Sequence, residues 1–487
     1  MELLNKNMVK KQERPIKVIQ FGEGNFLRAF VDYMIDIANE KGMFDGSIVL
    51  IKPIEFGELS RFHAQDCLYT VSLRGIDNGK ATVKNRMIKS VSDAVGTYEE
   101  YDKYTALAHV DTLRFVVSNT TEAGIVYDES DRFELCPPNT FPGKLTKFLF
   151  ERYEYFKGDP DKGLVMLPVE LIDDNGMHLK ECVLKQCENW KLPEGFVKWV
   201  KEACIFTQTL VDRIVTGYPR DTAEDLWKEW GYKDELCVTA EPFALWVIES
   251  DKDISGELPL DKAGLPVIFT KDHHPYKQRK VRILNGAHTS FVLSGFLAGN
   301  DIVLECMNDP MIRKFIENTI HDEIIPTLTL PREECEEFAS AVLSRFDNPY
   351  VKHALLSISL NSVSKWKARC MPSFLGYIEK KKEIPAHLAF SIASLLAFYT
   401  GSEIRDKALI GHRDGKEYNI LDDMKVLEFF KDNSGKETGE YVHAVLSETS
   451  FWDEDLSKIP GVEEKVTEYL SVIRKNGMRA AMEQYFA

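Results

Sequence analysis

The stretch Ile16-Lys-Val-Ile-Gln-Phe-Gly-Glu-Gly-Asn-Phe-Leu-Arg-Ala29 decides the fold of the N-terminal half of the chain. Its apolar start predicts a strand, and Gly22 and Gly24 follow that strand directly. The next apolar residues recur at helical spacing, at Phe26, Phe30, Met34 and Ile37. Such a turn can receive a pyrophosphate, because the first N–H groups of the helix lack partners. An ordinary strand-to-helix turn is the alternative, since the third glycine of Gly-x-Gly-x-x-Gly is missing, but the context favours nucleotide binding.

Further apolar runs alternate with amphipathic stretches and predict a parallel sheet covered by helices on both faces. These strand candidates are Ser47–Ile51, Leu113–Ser118 and Gly163–Pro168. From about residue 277 the pattern is helical almost throughout, with clear candidates at Met311–Ile325, Arg332–Arg345, Ala386–Tyr399 and Glu463–Tyr485. We therefore predict an α/β chain, with a Rossmann-like dinucleotide-binding domain over residues 1–275 and a mostly α-helical catalytic and substrate domain over residues 276–487.

The composition excludes several classes of protein. The 487 residues carry 61 basic and 77 acidic side chains, and the resulting net charge of −16 repels nucleic acid and anionic lipid. No apolar run is long enough for a membrane span, and the polar start of the chain is unlike a signal peptide, so a cytoplasmic location is expected. The nine cysteines contain no Cys-x-x-Cys pair, which argues against disulfides and against a cysteine-based zinc site.

Two segments complete the predicted cofactor site. The second strand runs into Lys52-Pro-Ile-Glu55. Glu55 suits the ribose hydroxyl of NAD, whereas Lys52 suits the 2′-phosphate of NADP, so these residues alone do not decide between NAD and NADP. Small polar residues in Ser118–Gly124 follow another strand and either line the cofactor crevice or form a capped turn. The predicted cofactor-binding residues are Phe21, Gly22, Glu23, Gly24, Asn25, Phe26, Glu55, Asn119 and Thr120.

The predicted catalytic segment is Lys280-Val-Arg-Ile-Leu-Asn-Gly-Ala-His288. If it is helical, we expect the directions of Lys280, Asn285 and His288 to differ by tens of degrees, so that all three face one cleft. Carbonyl reduction needs a proton donor, which a desolvated lysine supplies, and hydrogen-bond donors for the developing alkoxide, which an amide and an imidazole supply. Polar residues scattered on a helix are the alternative.

Three other groups of residues give weaker signals. His273 and His274 adjoin Pro275 and are expected in a loop, and no His-Glu-x-x-His or similar ligand set occurs, so no metal is predicted. Val211-Asp-Arg-Ile214 suits a buried ion pair. The basic side chains of Lys365, Lys367 and Arg369 are typical of a solvated face, but an acidic protein also needs such a group to hold an anionic substrate.

Together these segments resemble the mannitol dehydrogenase family, the polyol-specific long-chain dehydrogenases, over almost the whole chain. Lys280, Asn285 and His288 match the family pattern Lys-x4-Asn-x2-His, and Gly22–Ala29 matches Gly-x-Gly-Asn-Phe-x-Arg-Ala. Val211–Ile214 and Arg345–Pro349 are similar to further family blocks. The resemblance implies an NAD-dependent hydride transfer without metal, with Lys280 as general acid and base and with Asn285 and His288 on the reacting oxygen. Family members are often monomers, although the sequence leaves the oligomeric state open.

Two departures from the family pattern bear on the substrate. Val169-Glu-Leu171 replaces a Cys-Asp-Asn block, and Ser357 replaces an arginine eight residues before the substrate lysine, which would be Lys365. The resemblance then implies a small keto-sugar acid whose carboxylate meets Lys365, with D-tagaturonate and D-altronate as the expected pair. Fructuronate and a mannitol-type polyol are the alternatives. The alternative from another class is a non-catalytic regulator that binds a nucleotide. Leu171, which cannot donate a hydrogen bond from its side chain, supports this alternative, whereas the presence of Lys280 argues against it.

Overall fold

The computed structural model describes residues 1–77, 79–121 and 123–487. The chain forms two compact units, one of Met1–Gly75 with Thr82–His273 and the other of Ile76–Ala81 with His274–Ala487. We call them unit 1 and unit 2. The assignment of cofactor binding to residues 1–275 and of catalysis to residues 276–487 stays a prediction.

Strands before residue 273 are β1 (Ile16–Phe21), β2 (Ser47–Lys52), β3 (Tyr69–Asp77), β4 (Lys80–Ile88), β5 (Val91–Gly96), β6 (Phe115–Ser118), β7 (Val165–Pro168), β8 (Ile205–Phe206), β9 (Gln208–Asp212), β10 (Val215–Gly217), β11 (Val238–Ala240), β12 (Leu245–Glu249) and β13 (Val267–Thr270). Helices are α1 (Asn25–Arg28), α2 (Val31–Glu40), α3 (Ser60–Ala64), α4 (Tyr101–Ala106), α5 (Phe141–Tyr155), α6 (Asn175–Asn189), α7 (Glu194–Glu202) and α8 (Ala223–Trp230). Short 3-10 turns cover Leu107–His109 and Pro160–Lys162.

The main sheet of unit 1 has the strand order β5-β2-β1-β6-β7-β8, and its neighbouring strands are parallel. This is the doubly wound dinucleotide-binding order, so the predicted Rossmann-like sheet is confirmed. Strand β2 is buried along its whole length, and hydrophobic clusters cover both faces of the sheet. The order reverses between β1 and β6, and ligands bind at the carboxyl ends of the strands at such a point.

Several features of unit 1 were not predicted. Two smaller sheets, β10-β11-β3-β4 and β13-β12-β9, accompany the main one. The single helix expected over Phe26–Ile37 is divided into α1 and α2 at Phe30, whose φ is −124° and ψ −79°. The carbonyl of Ala29 at this break accepts a hydrogen bond from Arg213 at 2.6 Å. Arg213 also donates to the carbonyls of Pro242 and Phe243.

Unit 2 is mostly helical, as predicted. Its helices are α9 (His274–Arg279), α10 (Ala287–Leu297), α11 (Val303–Asn308), α12 (Pro310–Asn318), α13 (Arg332–Phe346), α14 (Leu355–Ile358), α15 (Ser362–Arg369), α16 (Met371–Lys381), α17 (Ala386–Phe398), α18 (Met424–Asn433), α19 (Thr438–Leu446), α20 (Thr449–Trp452), α21 (Val462–Asn476) and α22 (Met478–Phe486). Segments of π-helix cover Lys280–Gly286 and Thr319–Ile324, and 3-10 turns Ile325–Thr327 and Leu456–Lys458. A small sheet of β14 (Ile404–Arg405), β15 (Ala408–Arg413) and β16 (Lys416–Ile420) was not predicted.

The core of unit 2 is built around α10 and α17. Ten consecutive residues of α10, Ala287–Phe296, are buried, so this helix has no solvent face. The C-terminal helix predicted over Glu463–Tyr485 is broken at Gly477, whose φ of +84° a glycine adopts without strain. Across the described part of the chain, no helix is both long and apolar enough to span a bilayer.

Asp32 makes the stability of unit 1 depend on pH. It is buried, its Oδ2 accepts a hydrogen bond from Tyr69 Oη at 2.6 Å, and its Oδ1 has no partner among the described residues. Burial raises the pKa of this carboxyl from 3.8 to about 7. The folded state therefore keeps a proton that the unfolded state releases.

We predict that the free energy of unfolding falls as the pH rises from about 4 to 7, by at most ~1.4 kcal/mol per pH unit from this group. Asp32→Asn should flatten that dependence, because its amide carries no titrating proton while its oxygen still accepts from Tyr69. Urea unfolding between pH 5 and 8 measures the slope, with exposed Asp102→Asn as the control. An unchanged slope in Asp32→Asn would remove Asp32 as the cause.

Candidate active site

The loop after β1 is shaped by Gly22. Its φ is +118°, and an added Cβ would lie 3.1 Å from the carbonyl oxygen of Asn119 and 3.3 Å from Leu27 Cδ1. Asn119 N in turn donates to the carbonyl of Phe21 at 3.0 Å. The loops after β1 and β6 are thus in direct contact at the reversal of strand order, and only glycine fits position 22.

Gly24 leaves room for a ligand. Its φ of −67° is open to any residue, and an added Cβ would meet no atom within 4 Å. The backbone N–H groups that begin α1 have no intrahelical acceptors, which suits a pyrophosphate. Helix α1 is only four residues long, so these N–H groups matter more than a helix dipole.

Arg28 holds this loop in place, a role that was not predicted. The side chain is buried and donates to the carbonyl of Glu23 at 3.1 Å, to Asn25 Oδ1 at 2.7 Å and to the carbonyl of Leu236. Gly217, with φ +84°, lies next to Asn25 and has no Cβ that would press on its side chain. The arginine in Gly-x-Gly-Asn-Phe-x-Arg-Ala was the signal that could have revealed it.

The other residues predicted in this loop differ in exposure. The ring of Phe21 is fully buried against Phe141 and Tyr104, so only its backbone can face a cofactor. Glu23 is partly buried, and burial raises the pKa of its carboxyl. Asn25 is exposed, and Phe26 stacks on Phe30 with 4.9 Å between ring centroids.

Glu170 fixes the second loop of the crevice. It is buried, and its carboxylate accepts hydrogen bonds from Ser118 Oγ at 3.0 Å, Thr120 N at 2.9 Å and Thr120 Oγ1 at 3.0 Å. Burial raises the pKa of Glu170. Leu171, the predicted departure from the family pattern, is 64% exposed. Asn119 and Thr120 are half-buried at the crevice, and Glu122 of the same segment lies outside the described residues.

The end of β2 distinguishes the two candidate ribose ligands. Lys52 is 1% exposed, and its Nζ donates to Glu99 Oε1 at 2.6 Å and to the carbonyls of Gly57 and Glu55 at 2.9 and 3.1 Å. The side chain of Glu55 is exposed. Glu55 is therefore available to a ribose hydroxyl. The ammonium of Lys52 is already bonded to three oxygens of the surrounding loop and would have to give up these bonds to bind a 2′-phosphate.

In unit 2, the predicted catalytic segment is a π-helix. Lys280–Gly286 adopts this form between α9 and α10. In a regular α-helix, residues five apart point ~140° from one another, so the expectation of a common direction for Lys280 and Asn285 was wrong for that geometry. In a π-helix the backbone hydrogen bonds join residues i and i+5, so residues five apart are separated by close to one full turn. The π-helix therefore aligns Lys280 with Asn285, and His288 follows three residues later at the start of α10.

His288 is buried in this site. Its ring lies 4.3 Å from that of Phe346 and 5.3 Å from that of His353, centroid to centroid. Burial, and then the charges of His353, Arg345 and Arg369, hold the pKa of His288 well below its usual value. Its Nε2 is buried and has no hydrogen-bond partner among the described residues. A neutral imidazole with an unused nitrogen is suited to bind a substrate oxygen.

The basic group on α15 is divided between two sides of the helix. Lys365 and Arg369 are one turn apart and half-buried, and Lys365 Nζ donates to the carbonyl of Ile358 at 2.8 Å. Burial, and then the charge of Arg369, lowers the pKa of Lys365. Lys367 instead pairs with Asp453 at 2.6 Å, and Ser357 is exposed. Lys365 and Arg369 are therefore the pair available to an anion.

The prediction of a loop for the two histidines near Pro275 is confirmed for His273, which lies between β13 and α9, and is wrong for His274. His273 is buried, and its N and Nδ1 lie 2.8 and 2.7 Å from Glu249 Oε2. His274 begins helix α9. The carboxylate of Glu249 accepts from both groups of His273, so these polar groups keep a partner although the residue is buried.

Comparisons with known proteins agree over the whole chain. Residues 16–262 match the family model described as the mannitol dehydrogenase Rossmann domain, and residues 272–474 match the mannitol dehydrogenase C-terminal domain. An altronate oxidoreductase of Yersinia enterocolitica is 46% identical over 492 residues, covering 100% of both chains. An altronate oxidoreductase of Escherichia coli strain HS is 46% identical over 489 residues, covering 99% of both.

Two solved structures share the fold. A D-sorbitol dehydrogenase superposes with a TM-score of 0.81 at 22% identity, covering 99% of this chain and 100% of that one. Mannitol 2-dehydrogenase of Pseudomonas fluorescens superposes with a TM-score of 0.69 at 21% identity, covering 99% of both chains. With family models matching on both sides of residue 270 and full-length relatives at 46% identity, the chain belongs to the mannitol dehydrogenase family.

Proposed function

We propose that this protein is an NAD-dependent oxidoreductase that interconverts D-tagaturonate and D-altronate. The observation that supports the proposal is the π-helix of unit 2, which contains Lys280 and Asn285 and leads directly into the helix that carries His288, whose buried Nε2 has no hydrogen-bond partner among the described residues. The substrate pair is supported by relatives named altronate oxidoreductase, which are 46% identical along the full length of the chain.

Unit 1 has the features that NAD requires. The open space at Gly24 suits the pyrophosphate, and Glu55 is the exposed acid for the ribose. Asn119 and Thr120 lie on the second loop of the crevice, which Glu170 holds. When bound, NADH supplies the hydride that the carbonyl carbon receives, and NAD accepts it in the reverse direction.

The residues of unit 2 manage the proton and the charge on oxygen. During reduction, the ammonium of Lys280 gives one proton to the carbonyl oxygen as the hydride reaches the carbon, and Lys280 becomes a neutral amine. The amide of Asn285 and the imidazole of His288 donate hydrogen bonds to the same oxygen as its negative charge develops. Because burial lowers its pKa, we assign His288 the role of a neutral donor and Lys280 that of the acid.

Lys365 is the predicted contact for the carboxylate of the substrate. The protein carries a net charge of −16, so long-range attraction does not draw an anion to it, and nearby cations must hold the carboxylate. No metal is assigned a part in this chemistry, which stays a prediction that chelation of the purified enzyme can test.

We predict that Lys280→Ala lowers kcat by at least about 100-fold, because general acid–base catalysis contributes about that much or more. The affinity for NADH should be nearly unchanged, since the lysine does not belong to the dinucleotide loop. Steady-state kinetics and NADH fluorescence measure both quantities, with exposed Lys314→Ala as the control. Retention of more than about a third of wild-type turnover would remove Lys280 from the mechanism.

We predict that Gly24→Val weakens NADH binding at least tenfold while the fold stays intact. The structure leaves open space for a Cβ at this position, so a loss of affinity must come from the ligand. Gly256→Val is the matched control in unit 1, because its Cβ also meets no atom within 4 Å. Fluorescence titration and circular dichroism separate binding from folding. Equal NADH affinity in both variants would place the dinucleotide elsewhere.

The substrate is tested with a panel of D-tagaturonate, D-fructuronate, D-fructose and D-tagatose with NADH. One charge-assisted hydrogen bond to a carboxylate contributes roughly 1.5–3 kcal/mol, or about 10–150-fold in affinity. D-tagaturonate should therefore exceed both uncharged ketoses in kcat/KM by at least that factor. Equal turnover of D-fructose would indicate a polyol dehydrogenase. A higher kcat/KM for D-fructuronate than for D-tagaturonate would indicate that the substrate is the other epimer. Absence of turnover with every sugar would favour a non-catalytic regulator.

A further inference from the structure

Arg369 lies against the catalytic π-helix. It ends α15, and Cys370, the next residue, donates a hydrogen bond from Sγ to the carbonyl of Gly286 at 3.4 Å. An added Cβ at Gly286 would lie 3.1 Å from the carbonyl oxygen of Arg369. Gly286 falls between Asn285 and His288 in the chain, so the backbone of Arg369 is fixed next to the two residues proposed to bind the reacting oxygen.

The guanidinium of Arg369 has no partner among the described residues of the chain. The side chain is half-buried, and burial lowers its pKa. Other arginines of the unit pair with carboxylates, for example Arg313 with Asp347 at 2.8 Å and Arg405 with Glu403 at 3.0 Å. Removing a charge from water without a partner costs free energy, so an unpaired, half-buried guanidinium points to a ligand.

Lys365 adds a second positive charge on the same side of α15. Like charges four residues apart on a helix repel each other, which destabilises the unliganded helix. Asp422 affects the pKa of Lys365, but its carboxylate already accepts a hydrogen bond from Tyr399 Oη at 2.5 Å. No carboxylate of the described residues is bonded to either cation. The binding of an anionic ligand would therefore stabilise both cations.

We propose that Arg369 binds the carboxylate of the sugar acid and, with Lys365 beside it, sets the preference for an acid over a neutral sugar. The inference rests on the proposed hexuronate activity. A guanidinium offers two parallel N–H donors that match the two oxygens of a carboxylate, whereas an ammonium offers only a compact charge. In D-tagaturonate the carboxylate is at the far end of the carbon chain from the carbonyl, so the two ends need separate binding groups.

Lys367 provides a matched control for this proposal. It lies on the same helix and carries the same charge, but it pairs with Asp453, and the side chain of Asp453 is 75% exposed. Lys367→Gln therefore removes one positive charge from α15 without touching the proposed site. Arg369→Lys keeps the charge and removes the second parallel donor, and Arg369→Gln removes the charge.

The experiment compares D-tagaturonate with D-tagatose, which has a hydroxymethyl group in place of the carboxylate. In Arg369→Gln, kcat/KM for D-tagaturonate should fall by about 10–150-fold, while the value for D-tagatose should change little. The kcat/KM of Arg369→Lys for D-tagaturonate should lie between the values of Arg369→Gln and the wild type, and the kcat/KM of Lys367→Gln should match that of the wild type. Affinity for NADH should be unchanged in all three variants.

A second measurement uses the wild-type enzyme and does not depend on turnover. Phenylglyoxal modifies arginines, and mass spectrometry reports the modification of Arg369. In the presence of NAD, D-altronate should protect Arg369, and the neutral polyol D-altritol at the same concentration should not. Protection by both or by neither would overturn the carboxylate role.

The outcomes separate the two proposals. If the wild type reduces D-tagaturonate but Arg369→Gln loses activity equally with both sugars, Arg369 is structural, and the inference fails while the proposed function stands. Equal activity of Arg369→Gln and the wild type would also overturn it. If the wild type reduces D-tagatose but not D-tagaturonate, the proposed function fails, and the carboxylate site fails with it.

Discussion

The candidate site depends on a local change in backbone hydrogen bonding from i+4 to i+5 over Lys280–Gly286. Segments of this kind are rare and frequently found at functional sites, because their geometry is less favourable than that of an α-helix. Here the change turns two side chains that a regular helix would separate toward the same side. The C-terminal end of α15 packs directly on the segment, and the absence of a Cβ at Gly286 permits this approach. Surrounding contacts thus stabilise a backbone form that the segment alone would not favour.

The buried arginines of unit 1 show a consistent use that contrasts with Arg369. Arg152 donates to the carbonyls of Ala108, Val110, Leu113 and Lys162 at 2.7–3.0 Å. Arg28 and Arg213 likewise donate to backbone carbonyls. Such carbonyls are available where helices and loops leave acceptors without a partner. A planar group with five donors can satisfy several acceptors at once, so these side chains join segments that are distant in sequence. In unit 2, the guanidinium of Arg369 has no such acceptors among the described residues.

The sequence predicted the parallel sheet and the helical second half because both depend on local hydrophobic periodicity. It did not predict the sheet containing β4, whose side chains are largely exposed and so lack a clear apolar pattern. The roles of Arg28 and Glu170 depend on partners far away in the chain, such as Leu236, which no local pattern reveals. The π-helix was missed because its residues are also compatible with an α-helix. Lys280, Asn285 and His288 were predicted from their spacing and the family resemblance, and their catalytic roles stay a prediction.

Lys52 has a consequence for how cofactor preference can evolve in this scaffold. Its ammonium group joins the end of β2 to Glu99 and to the turn that carries Glu55. Recruiting this lysine for a phosphorylated ribose would release the turn that positions Glu55, the acid proposed to bind the ribose, and so would damage the proposed site before a new one formed. A lineage that changes to NADP would therefore have to introduce a new cation elsewhere on the exposed turn.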